Sequence, residues 1–138
     1  MPSFLLECTE IVYRIVVRRD WLEEDGTLKP EAFLLMRPAD ERTGLSVFRA
    51  SFCTIEQCRT KVRSGYGVNS LHVGHVGQLG LEVWHREPDE EDHAGIFGLP
   101  RYYDRENLSL AELERAEHLA GKLASQARAQ LRERWRAE

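Results

Sequence analysis

The residues of this chain that could do chemistry crowd into its middle: His72, His75, His85 and His93 fall within 22 residues, with several carboxylates between them. Two of them share the stretch LHVGHVGQLG, where His72 and His75 stand three apart among Gly74, Gly77 and Gly80. An imidazole can bind a transition metal or exchange a proton near neutral pH. Zinc asks for a tetrahedral set of nitrogen, sulfur or oxygen ligands, so the four histidines form one candidate metal site. A bare His-x2-His lacks the spacing and the glutamate of a metalloprotease helix, and the glycine run matches neither the dinucleotide fingerprint nor a P-loop. No resident metal and no cofactor is therefore assigned.

A metal-free chemistry would use Arg14. A guanidinium forks onto phosphate or carboxylate, and a nearby imidazole supplies proton transfer. Arg14, His72 and His93 are the candidate catalytic residues of a small enzyme acting on a nucleotide-like or other anionic substrate. That reading requires the three to converge in one concave site. Each has an ordinary alternative. Arg14 would pair with an internal carboxylate or point to solvent at a sheet edge. His93, in DHAGIFGLP, would hold its loop by hydrogen bonds while Gly95, Gly98 and Pro100 shape a turn.

The elements that must position these residues are read from periodicity. Ile11 to Val17 alternates as a strand, and so does Leu45 to Phe52, with Leu81 to Trp84 a third. Asp20 caps a short helix at Trp21 that Asp25-Gly26 stops, Pro30 starts another, and Arg37 to Gly44 is a polar loop. Thr54 and Gln57 form a capping box for a helix from Ile55 to about Arg63. Cys53 and Cys58 then meet as an apolar staple across the helix start, which accounts for them without a metal. Ser109 and Glu112 box the last helix, about 110–136, whose inner face is Leu113, Ala116, Ala120, Leu123, Ala124, Ala127 and Leu131. In LHVGHVGQLG, a strand would send His72 and His75 to opposite faces and a helix would put them on one. The caps Asn69 and Ser70 and the stop at Gly80 favour a helix, with Gly74 and Gly77 there for close packing.

These elements make one α+β domain, residues 1–138: a small, mostly antiparallel sheet packed by a long C-terminal helix. A hydrophobic content of 42% suffices for one core. Three cysteines, Cys8, Cys53 and Cys58, are too few and odd in number for a disulfide framework, so reduced thiols are expected. No apolar run reaches the length of a membrane span, and the N-terminus lacks the pattern of a secretory signal, so a cytoplasmic setting is expected. A net charge of -4 gives no global attraction to nucleic acid. Local charge is segregated: Glu87, Asp89, Glu90, Glu91 and Asp92 form an acidic loop expected to stay solvated, and Lys122, Arg128, Arg132, Arg134 and Arg136 a basic end.

Val12-Tyr13-Arg14-Ile15 resembles the opening strand of some enzymes that act on nicotinamide dinucleotide. A wider likeness covers most of the chain. Tyr13-Arg14, Trp21, Phe33, Gly44-Leu45-Ser46-Val47, Ser70-Leu71-His72-Val73-Gly74, Leu79 to Val83 and His93 to Pro100 together resemble a family of small bacterial proteins. The resemblance implies a shared fold and a bacterial cytoplasmic setting, and brings no activity with it. Where this chain has His75 such proteins often have arginine, which leaves His72 and His93 as the pair to follow. With no catalytic motif recognisable, the leading expectation is a non-catalytic accessory or regulatory module. It would act through a protein partner, or as a homo-oligomer, by its C-terminal helix. The enzyme built on Arg14, His72 and His93 comes second and the histidine metal site third.

Overall fold

The computed structural model describes residues 3–86 and 88–136. In chain order the elements are β1 (Ser3–Leu5), β2 (Ile11–Val16), α1 (Pro38–Thr43), β3 (Leu45–Arg49), α2 (Ile55–Lys61), β4 (Ser64–Gly65) and β5 (Gly67–His72). Then come α3 (Val73–Gln78), β6 (Glu82–Arg86), β7 (His93–Phe97), α4 (Leu110–Gln126), β8 (Arg128–Leu131) and β9 (Trp135–Arg136). Single-turn helices at Arg19–Trp21 and Pro30–Phe33 fill the long β2–α1 connection. Both predicted capping boxes are present: Thr54 with Gln57 starts α2, and Ser109 with Glu112 starts α4.

Seven strands form one sheet in the order β1-β6-β7-β3-β2-β5-β8, and β4 pairs with β9 in a small ribbon. Every strand pair is antiparallel. The alternation seen in the sequence sorts side chains onto two faces. One face carries Val12, Val16, Leu45, Val47, Leu71, Ala94 and Ile96 into the main core, where Phe33 and α4's Ala116, Leu119, Ala120 and Leu123 cover them. The other face is covered mainly at the β5 end, where Ile15, Cys53, Cys58, Val68 and Trp135 make a second cluster. Between β2 and β6 that second face stays open, and Tyr13, Ser46, Phe48, Trp84, His93 and Phe97 are half-buried there.

The expected C-terminal helix of 110–136 ends at Gln126 instead. Ala127 is extended, and Arg128–Leu131 returns as β8 along the edge of β5. The stripe expected to run on through Ala124, Ala127 and Leu131 is left at Gln126. Ala129 and Leu131 alternate with exposed Arg128 and Gln130, a pattern that fits an edge strand and covers hydrogen-bonding groups that β5 would otherwise leave bare. Leu119, absent from the expected inner face, is buried in it. The basic end is accordingly spread over a helix, two strands and a connection.

LHVGHVGQLG is corrected as well. Leu71-His72 closes β5 and only Val73–Gln78 is helical, with Gly80 in the left-handed conformation at φ 82° as the stop. Gly74 does permit close packing, since a Cβ there would meet the Cys8 carbonyl oxygen at 3.0 Å, whereas Gly77 faces open space. The polar loop expected at Arg37 to Gly44 holds the short α1. Glu87, first of the acidic loop, lies outside the described residues. The rest of that loop is pinned: Lys61 of α2 holds Glu90 at 3.0 Å and Asp92 at 2.6 Å.

Candidate functional site

Arg14, the residue expected to grip an anion, turns away from the open face. β2 and β3 pair through Val12 with Arg49 and Tyr13 with Phe48, and the guanidinium of Arg14 then bonds the next stretch of β3. Its Nη1 donates to the carbonyl of Ser46 at 2.9 Å, and its Nε and Nη2 donate to the carbonyl of Ala32 at 3.1 and 2.9 Å. The plane lies over Trp21 at 5.0 Å. Burial pushes the Arg14 pKa down to about 10, against the raising effect of Asp40, and the side chain stays charged at neutral pH. With its fork occupied by main-chain carbonyls, Arg14 ties the Pro30–Phe33 turn to the sheet. Neither an internal carboxylate nor solvent is its partner.

The histidines do not converge either. His72 and His75 are both exposed, with ring centroids 5.0 Å apart. His72 sits on β5, separated from His93 on β7 by two strands, roughly 14 Å at the usual strand spacing. His85 is buried on the core-facing side of β6, stacked on Phe4 at 4.9 Å, with its Nε2 at 3.2 Å from the Glu90 carbonyl. Among the described residues no group of three or more His, Cys, Asp or Glu side chains is placed to hold a metal ion. The shared site of Arg14, His72 and His93 and the histidine metal cluster are therefore both set aside.

What His93 does meet is Ser46. The pairing of β3 with β7 sets Ser46 opposite Gly95 and Phe48 opposite His93, so Ser46 and His93 are diagonal neighbours on the open face. The Ser46 Oγ lies 3.0 Å from His93 Nε2, and His93 Nδ1 lies 3.3 Å from Asp89 Oδ2. An ionised carboxylate only accepts, so Nδ1 carries a hydrogen, and a neutral ring then accepts the Ser46 hydroxyl hydrogen at Nε2. This is a serine, base and orienting carboxylate in series, the arrangement that activates a hydroxyl nucleophile.

Each member is held by its own element. Asp89 sits in the β6–β7 turn, whose amide donates to the Arg86 carbonyl at 2.7 Å, and Lys61 fixes the far side of that turn through Glu90 and Asp92. The amide of His93 donates to the Glu90 carbonyl at 2.9 Å, and Phe48 tilts against the imidazole at 5.5 Å. His93 and Asp89 keep 26% and 27% of their side-chain surface exposed, so the series is reachable from solvent. Arg86 follows Trp84 on the same face, and its Nη1 donates to the Arg42 carbonyl at the end of α1. Gly95 makes room for that end: a Cβ there would meet the Thr43 carbonyl oxygen at 2.2 Å.

Of these residues the sequence reasoning named His93. It took Ser46 only as part of the Leu45 to Phe52 strand and the Gly44 to Val47 segment, and Asp89 only as part of a solvated acidic loop. Asp89 and His93 are four residues apart, whereas Ser46 is brought to His93 by the β3–β7 register alone. No protein-family model matches the chain, and neither a search of curated proteins nor one of solved structures returned a match.

Proposed function

We propose that the chain is a small acyl-transfer enzyme or esterase that uses Ser46 as nucleophile. The observation that carries this reading is the continuous contact from Ser46 Oγ through His93 to Asp89, at 3.0 and 3.3 Å. Ser46 attacks the acyl carbon while its proton passes to His93 Nε2, and His93 returns that proton to the departing alkoxide. Water, deprotonated by His93, then releases the acid and restores the hydroxyl. Asp89 keeps the ring in the required tautomer and stabilises the imidazolium. Arg86 supplies positive charge on the same face, suited to an anionic part of the substrate. The series lies on open sheet and lines neither the cavity at Gly26 and Arg132 nor the one at Leu22 and Lys29, which favours an acyl group presented on a larger carrier. The test is turnover of an activated short-chain ester such as p-nitrophenyl butyrate. The expected result is saturable hydrolysis that falls by at least about 100-fold in Ser46→Ala and in His93→Gln. Equal turnover in Ser46→Ala would end the reading.

A second reading keeps the chain as a non-catalytic accessory module that works through a protein partner in the bacterial cytoplasm. What favours it is edge strand β1, where Phe4 and Leu5 are 46% and 48% exposed beside an unpaired edge able to accept a partner's strand. Charged Phe4→Glu and Leu5→Lys variants would abolish a complex formed this way, and on this reading the parent chain shows no ester turnover that depends on Ser46. No helix among the described residues is long and apolar enough to cross a membrane.

A further inference from the structure

The early end of α4 leaves a notch on the face of the sheet opposite Ser46. It is a cavity of about 330 Å³ between the last turn of α4, the turn at Gly26 and Thr27, and β8. That volume is at the small end of ligand pockets, enough for a small metabolite and too little for a dinucleotide.

Its floor is Asn69. This residue of β5 is 6% exposed and lines the cavity, and its carboxamide makes no hydrogen bond to the described residues. Asn69 offers both a donor and an acceptor to whatever enters.

The mouth is Arg132. A Cβ added at Gly26 would lie 3.7 Å from Arg132 Nη1, which places the guanidinium over that turn. Arg132 forms no ion pair with a described carboxylate; the charge of Asp25 acts on it from the same turn, where Asp25 Oδ1 accepts the amide of Thr27 at 3.0 Å and the hydroxyl of Thr27 at 2.7 Å. The Ser125 hydroxyl gives its hydrogen to the Lys122 carbonyl at 2.8 Å, so Ser125 and Thr27 present lone pairs to the cavity. Leu28, Pro30 and Ala124 form an apolar wall, and Gly121 has no side chain to fill the space.

A fork of donors at the mouth, an apolar wall and an accessible amide at the floor select a short amphipathic anion. We infer that this notch binds a small organic anion, its charged end a carboxylate or a phosphate on Arg132 and its body between Leu28 and Ala124 with a polar group against Asn69. The site shares no residue with Ser46, His93 and Asp89, so it stands or falls independently of the esterase reading.

The test is a 1H–15N NMR titration of the full chain with butanoate, with glycerol 3-phosphate and with inorganic phosphate. Saturable shifts at the Asn69 side-chain amide and the Gly121 amide are expected. Tighter binding of butanoate identifies a carboxylate ligand, and tighter binding of glycerol 3-phosphate a phosphate ester. Arg132→Gln, at an exposed position, is expected to weaken the preferred probe by about tenfold or more. Gly121→Leu places a side chain where nothing lies within 4 Å of a Cβ, so it keeps the fold and is expected to abolish binding. An absence of saturable shifts with every probe, or binding that survives Gly121→Leu, would overturn the inference.

Discussion

The two faces of the seven-stranded sheet use their polar side chains in opposite ways. On the covered face, Arg14 gives a hydrogen from each of its three nitrogens to the carbonyls of Ser46 and Ala32 and stacks on Trp21, so main chain and an indole hold its fork in place. On the open face, the partners of His93 are a hydroxyl and a carboxylate, and about a quarter of the imidazole remains in contact with solvent. The lesson lies in the partners rather than the residue types. A buried cation satisfied by main chain holds a fold together, whereas titratable side chains satisfied by one another at an accessible surface have protons to move.

If that division is right, substitutions on the covered face cost stability and those around Ser46 cost activity. Arg14→Leu strips the Ser46 and Ala32 carbonyls of their donors and is expected to lower unfolding stability by about 3 kcal/mol, measured by urea denaturation. Gly95→Ala is the one change on the open face that should behave like a core change. Its Cβ must push aside the Thr43 carbonyl, at an expected cost of about 2 kcal/mol in the same experiment. His93→Gln keeps a hydrogen-bonding side chain in place and is expected to stay within about 1 kcal/mol of the parent while losing ester turnover. A stability loss matching that of Arg14→Leu would mean that His93 clamps the Asp89 turn rather than activating Ser46.

The smallest effect concerns the covered end of that same open face. Cys53 and Cys58 lie with their sulfurs 3.6 Å apart beneath α2, and burial raises both thiol pKa values, that of Cys58 to about 12. Cys8 is exposed. Titration of the folded chain with a disulfide reagent at neutral pH should therefore modify a single thiol quickly, and all three only after denaturation.

Much of the local structure could be read from the sequence because it is written in neighbours. The boxes at Thr54 and Ser109, the strands at Ile11 and Leu45, and the Cys53–Cys58 contact depend on residues a few positions apart. The end of α4 could not be read that way. Ala127 to Leu131 contains good helix formers, and it takes the bare edge of β5, far away in sequence, to draw it into a strand. The candidate site is hidden for the same reason. His93 is recognisable alone as a titratable side chain on a shaped loop, and Asp89 is its neighbour four residues back, but Ser46 acquires meaning only through strand register. Arg14 misled because a strand arginine signals anion binding by type, and its carbonyl partners belong to a turn 18 residues onward and to a strand 32 residues onward.

The most direct test of the central claim is covalent labelling of the intact chain with a fluorophosphonate, followed by peptide mass spectrometry. A serine activated by His93 displaces fluoride and retains the phosphonyl group, so a single adduct mapped to Ser46, absent from Ser46→Ala and strongly slowed in His93→Gln, is the result expected. No adduct on the folded protein, or one at Ser46 whose rate ignores His93, would contradict it.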